Sequence, residues 1–201
     1  MQKLKYDLVE DKLINLGLKI FTANDLCQIF GAGKRASEAF LSYNAKRKVL
    51  VRLKKGFYSL RRNLPHDFLI ANKIYSPSYV SLETALSFYS IIPETVYAIT
   101  SISSKKTASF LANGREFIYH KIKLPSFIGY TSKQVGNDIV YLALQEKAVA
   151  DFCYFVFLKK KGWNDRLTLR GLDEKKVMDY LKILNGGKLV RFWKELPKKN
   201  D

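Results

Sequence analysis

Between residues 33 and 62 the chain sets ten cations, Lys34, Arg35, Lys46, Arg47, Lys48, Arg52, Lys54, Lys55, Arg61 and Arg62, against one acid, Glu38. Side chains of this kind do one sort of chemistry well. Ammonium groups act as point charges and guanidinium groups as planar forks for phosphate oxygens, so a cluster of both points to a polyanion. The whole chain holds 35 Lys and Arg against 18 Asp and Glu, a net charge of +17. Residues 1 to 64 carry +9 of it and the remainder +8 over more than twice the length, so the charge is densest early. Nucleic acid is the first candidate partner.

Other chemistry is hard to assemble. His66 and His120 stand far apart in sequence with no cysteine or acid cluster beside either, which leaves a metal site without support. Cys27 and Cys153 belong to no CxxC pair and read as reduced thiols of a cytoplasmic protein. Gly31-Ala32-Gly33-Lys34 lacks the spacing of a Walker phosphate loop. Glu83, Glu146 and Asp151 are the best acid/base candidates, but no spacing pairs them in a site. No catalytic residue, cofactor or metal is therefore expected. The start, MQKLKYDLVEDKL, lacks the apolar core of a signal peptide, and no run of about 18 uncharged apolar residues occurs. Neither secretion nor a membrane partner is expected, and disorder is expected only at the ends, with the tail PKKND as the candidate.

Five N-terminal segments must position the cations. Leu4, Leu8, Leu13, Ile14 and Leu16 to Leu18 predict a first helix with a wide apolar face, ending near Gly17. A short strand, Lys19 to Phe21, follows. Thr22 and Asp25 have capping-box spacing and open a two-turn helix with Leu26, Ile29 and Phe30 inward. After the turn at Gly31 to Gly33, a third helix has Ala36, Ala39, Phe40 and Tyr43 at helical spacing, leaving Lys34, Arg35, Ser37, Ser42 and Lys46 to point elsewhere. Leu50 to Leu53 and Phe57 to Leu60 then form a hairpin around Lys54, Lys55 and Gly56. Helix, strand, helix, turn, helix and hairpin is the order of a winged helix-turn-helix, whose third helix enters the major groove while the hairpin lies on the backbone. Lys34, Arg35, Ser37 and Ser42 are then the expected base readers. Lys46, Arg47, Lys48, Arg52, Lys54 and Lys55 complete the DNA-binding set, with Lys54 and Lys55 on phosphates.

The expected domains are residues 1–64, the DNA-binding unit, and 65–201, an α+β unit. Asn63 to Asp67 reads as a linker or helix entry, with Pro65 in the first helical turn. Tyr79 to Ser81 predicts a short strand, and Ser81 or Leu82 starts a helix through Ala85, Leu86 and Tyr89. Strands are expected over Glu94 to Ser101, Ala108 to Leu111, Phe117 to Lys123, Phe127 to Thr131 and Asp138 to Leu142, with hairpin turns at Asn113-Gly114 and Gly136-Asn137, giving a small antiparallel sheet. His120 alternates with Ile118 and Ile122 and reads as a surface or edge residue. Tyr75, Tyr79, Phe88, Tyr89 and Tyr97 read as core. Helices follow over Ala143 to Leu158, where Lys147 and Asp151 are spaced to pair across one turn, over GLDEKKVMDYLKIL, and after the Gly186-Gly187 break.

Taken in order, the N-terminal pattern ending in KKGFYSL, then SPSYVSLETALSFYSII, NGREFIYHKI and ALQEKAVADFCYFV resemble the AbiEi family, antitoxins of type IV toxin-antitoxin (abortive infection) systems. The resemblance spans roughly residues 5 to 185, and its most characteristic pieces are Tyr79-Val80-Ser81 with Ala85-Leu86, and Glu146-Lys147-Ala148 with Asp151. It implies a cytoplasmic transcriptional repressor that binds inverted repeats in double-stranded DNA of its own promoter. It also implies an antitoxin whose C-terminal domain counteracts a cognate nucleotidyltransferase toxin without a stable complex. Tyr79, Ser81, Glu146, Lys147 and Asp151 are either a structural signature or part of the antitoxic function. The other expectations are a protein-interaction module whose basic face docks an acidic partner, and a solitary winged-helix regulator.

Overall fold

The computed structural model describes residues 4–197, so the tail residues 198–201 lie outside the described residues. The chain opens with α1 (Tyr6–Asn15), β1 (Ile20–Phe21), α2 (Ala23–Phe30), α3 (Lys34–Lys46) and the hairpin strands β2 (Leu50–Lys54) and β3 (Phe57–Leu60). Local chemistry sets these boundaries. Thr22 Oγ1 accepts from the Asp25 N–H, and Asp25 Oδ2 accepts from the Thr22 N–H at 2.7 Å, a complete capping box at the start of α2. Gly31, at φ 62°, closes the same helix in the left-handed region that a side chain would disfavour. The three strands pair antiparallel in the order β1-β3-β2, and Val9, Leu13, Phe21, Leu26, Leu41, Leu50, Tyr58 and Leu60 form the core between helices and sheet.

The elements arrive in the expected order, but two helices present a different face. In α1 the burial falls on Val9 and Leu13, while Leu8, Ile14 and Leu16 are exposed. In α3 the inward stripe is Ser37, Leu41 and Asn44, at offsets of four and three, and Ala36, Ala39 and Tyr43 lie outside. A small hydroxyl and an amide take inner places there, the hydroxyl beside α2 and the amide nitrogen bonded to the helix's own backbone, while Asn44 Oδ1 is buried without a hydrogen-bond partner. Ser37 Oγ lies 3.4 Å from Cys27 Sγ, and Asn44 Nδ2 donates to the Phe40 carbonyl at 2.9 Å.

A 3-10 turn (Arg61–Asn63) leads to α4 (Asp67–Ile74). Pro65 precedes this helix rather than opening it. His66 is the N-cap, its Nδ1 accepting from the Phe68 N–H at 3.2 Å. There follow β4 (Ser78–Val80), α5 (Leu82–Phe88), β5 (Ile99–Ser103), β6 (Ala108–Ala112), β7 (Arg115–Lys121), β8 (Tyr130–Val135), β9 (Asp138–Ala143), α6 (Gln145–Phe157) and α7 (Glu174–Glu195), the last interrupted at Asn185 and Gly186. Residues 94–98, expected as strand, are irregular.

The protein is a mixed α+β structure, and its second sheet corrects the expectation of a small antiparallel one. Six strands run in the order β6-β7-β5-β4-β9-β8, with β5/β7 and β4/β9 parallel. Turn residues announce only neighbours joined by a tight turn, here β6/β7 and β8/β9. A parallel pair needs a long crossover and leaves no local mark. Its core includes Tyr79, Ile102, Phe117, Leu142, Phe155, Leu181 and Trp193, and also Val51 and Leu53 from the hairpin. Strand β2 thus serves two cores, with Leu50 in the small one and Val51 and Leu53 in the large one. His120 lies on an inner strand, half-buried, its ring 4.9 Å from that of Phe155, and is not an edge residue. Tyr97 is exposed, against the expectation of a core position.

Candidate functional site

With Ser37, Leu41 and Asn44 inward, helical geometry places Arg35, Ala39, Ser42 and Lys46 on the opposite side of α3, at spacings of four, three and four. All four are exposed, as are Lys34, Arg47 and Lys48 at the ends of the helix. Tyr43 stands beside this stripe, 61% exposed, with the Arg47 guanidinium carbon 5.6 Å from its ring centre. Arg52 and Lys55 of the hairpin are exposed as well. A cleft of about 370 Å³ brings Glu38 and Ser42 of α3 to face Arg52, Lys55 and Gly56 of the hairpin. Gly56 adopts φ 87°, the positive value that the tight turn requires.

Two expected site residues are placed otherwise. Ser37 is fully buried against α2, so its hydroxyl faces the core and not a ligand. Lys54 is not a free cation at the hairpin tip. Its ammonium donates to the Ile74 carbonyl at 3.0 Å, at the C-terminal end of α4, and lies 3.7 Å from the Phe110 ring centre and 5.2 Å from that of Tyr75. A helix C-terminus and two aromatic faces are each attractive to a cation. Burial, with the nearby Lys105 charge second, holds the Lys54 ammonium below the usual lysine pKa. A second tie lies at β1. Lys19 pairs with Asp138 at 2.6 Å, and the other oxygen of Asp138 accepts from the His66 N–H at 2.6 Å. No spacing in the sequence signals either tie, since each joins residues far apart in the chain.

The second group of candidates does converge, deep inside. Asp151 of α6 accepts from the Tyr79 hydroxyl at 3.0 Å and the Ser81 hydroxyl at 2.8 Å, and pairs through its other oxygen with the Lys147 ammonium one turn earlier. Lys147 and Asp151 are 1% and 0% exposed. The Lys147 ammonium also sits 5.6 Å from the Tyr79 ring centre. Burial first, and then the adjacent Asp151 charge, pushes the Tyr79 phenol well above its ordinary pKa, so it serves as a donor. The cluster pins β4 and the start of α5 to α6. Glu146 stands apart, beside Tyr89 and Tyr180, whose pKa values are raised by burial and secondarily by its charge. Each Asp151 oxygen has its donors, and the two charges neutralise each other, which is the chemistry of a structural tie.

Among the described residues no group of three or more His, Cys, Asp or Glu is placed to hold a metal ion, and no helix is long and apolar enough to cross a membrane. No protein-family model matches the chain, and no curated protein matches it.

Proposed function

We propose that the N-terminal part is a winged helix-turn-helix that binds double-stranded DNA, with α3 in the major groove and the β2–β3 hairpin as the wing. The observation that carries this reading is the exposed Arg35, Ala39, Ser42 and Lys46 stripe, whose Ser42 lines a cleft with Arg52 and Lys55 of the hairpin, while Glu38 is the one acid in α3 and the hairpin. A ridge of this composition can offer Arg35 and Ser42 to base edges and its lysines to phosphates. Arg35 and Ser42 act as base readers. Lys34, Lys46, Arg47, Lys48, Arg52 and Lys55 supply phosphate contacts, and Lys54 holds the wing in place.

On the resemblance to the AbiEi family, the protein is a cytoplasmic repressor of its own operon and an antitoxin to a nucleotidyltransferase toxin, with which it forms no stable complex. Tyr79, Ser81, Lys147 and Asp151 support the fold of the antitoxic part rather than acting on the toxin. The test is a gel-shift titration on the DNA upstream of the gene, with scrambled competitor and varied salt, followed by co-expression with any adjoining nucleotidyltransferase. Salt-sensitive binding that prefers the upstream DNA and rescue of growth support the two halves of the reading. Equal weak binding to both DNAs refutes the repressor, and failure to rescue refutes the antitoxin.

A further inference from the structure

Strands β4 and β9 are parallel neighbours at one register position, Val80 opposite Leu142. Away from it the buried Asn72 side chain of α4 spans the two strands. Its Oδ1 accepts from the Tyr141 N–H at 2.7 Å, and its Nδ2 donates to the carbonyls of Tyr141 at 3.2 Å and Ser78 at 3.4 Å. Where neighbouring strands separate, a sheet leaves a crevice, and crevices of that origin are common ligand sites. Here the crevice measures about 330 Å³.

Its walls are chemically one-sided. Phe127, Tyr130 and Tyr141 supply three aromatic rings, with Phe127 and Tyr130 centres 5.2 Å apart and Tyr130 and Tyr141 centres 5.9 Å apart and nearly perpendicular. Tyr130 is held from behind by stacking on the buried Tyr79 at 4.6 Å, so that wall is fixed before a ligand arrives. Tyr141 is 52% exposed and Ile139 is largely open to solvent. The one charged residue on the walls is Lys73, and no carboxylate pairs with it among the described residues. Asn72 and the Ser78 hydroxyl have their polar groups engaged, which leaves the Lys73 ammonium, the Ser76 hydroxyl and the phenol hydroxyls to meet a ligand.

We infer that this crevice binds a small anion carrying a planar aromatic ring, the ring against Tyr130 and Tyr141 and the anionic group on Lys73. A mononucleotide and an aromatic carboxylate share that chemistry. The assignment is independent of DNA binding, since the crevice lies among α4, β8 and β9 and includes no residue of α3 or the hairpin.

The experiment titrates adenosine 5′-monophosphate and, separately, indole-3-acetate into the full chain, following the Tyr130 and Tyr141 ring resonances by NMR and the heat by calorimetry. Saturable shifts of both rings are expected with at least one probe, and which probe gives them identifies the source of the ligand. Lys73→Ala should weaken that binding about tenfold, the effect of one charge-assisted contact. Tyr141→Ala, at a position 52% exposed, should weaken it at least as much. Lys175→Ala with Lys176→Ala, on α7, should leave it unchanged. The inference is overturned if neither probe shifts the two rings up to millimolar concentration, or if the Lys73 and Lys175/Lys176 variants weaken binding alike, which would mean attraction to a cationic protein in general.

Discussion

Replacing Asp151 by Asn keeps the size and an acceptor oxygen for Ser81 and Tyr79, but leaves the Lys147 ammonium, 1% exposed, without its counter-charge. Breaking a buried ion pair from one side costs about 3 to 5 kcal/mol. The expected loss is about 4 kcal/mol, a large share of the 5 to 15 kcal/mol that typically holds a domain together. Lys147→Met in the same background removes the stranded charge, and the double variant should recover about 2 to 3 kcal/mol of the loss. Urea unfolding of wild type, both singles and the double reads every term. A coupling between the two sites below about 0.5 kcal/mol would refute the argument, since residues in direct contact within one network exceed that value.

Lys54→Met should lower stability by about 1 to 2 kcal/mol through the lost carbonyl and aromatic contacts, yet leave the salt dependence of DNA binding unchanged. Lys55→Ala should do the reverse, reducing the slope of log K against log salt by about one. Arg35→Ala and Ser42→Ala should relax sequence preference by about 1 to 3 kcal/mol at one base position each, measured by competition gel shift, whereas Ser37→Ala should leave preference intact. His120, held down to about 4 by burial with Lys161 and Lys160 adding and Glu83 opposing, contributes stability that is full above its unfolded pKa of 6.5 and is lost as pH falls toward 4. The difference between wild type and His120→Gln in unfolding free energy should shrink over that window and stay flat above pH 7. Gly129→Ala should cost about 2 to 4 kcal/mol, because φ is 76° and a Cβ there would come within 2.7 Å of the Tyr180 ring and 2.9 Å of Lys147 Cγ.

The element order of residues 6–60 was readable because its signals are local: the Thr22/Asp25 box, the glycine turns and the two short strand-forming runs around Gly56. Which face of α3 points inward was not. Alanine and tyrosine carry little directional information, and the inner stripe contains a serine and an asparagine whose partners lie on α2 and one turn back. Ser37 therefore lies inward, while Arg35, Ser42 and Lys46 keep their outward place. For Lys54 the sequence reports the charge but not that Phe110 and the end of α4 come to meet it. The Lys147 and Asp151 pair was legible as a one-turn spacing, but its depth was not, since burial depends on Tyr79 and Ser81, some seventy residues earlier.

The two-sided strand β2 limits how freely this chain can be cut and recombined. Leu50 belongs to one core and Val51 and Leu53 to the other, so the seam between them runs through the hairpin and not through the residues near 64. A fragment ending at residue 64 would carry an uncovered Val51 and Leu53 and the severed ends of the Lys19 and Lys54 ties. The complementary fragment would expose the matching hollow. Grafting these helices and hairpin onto a foreign partner therefore requires that partner to bring its own lid for the back of β2. Drift in the large sheet, in turn, is constrained by a strand that belongs to the other end of the chain.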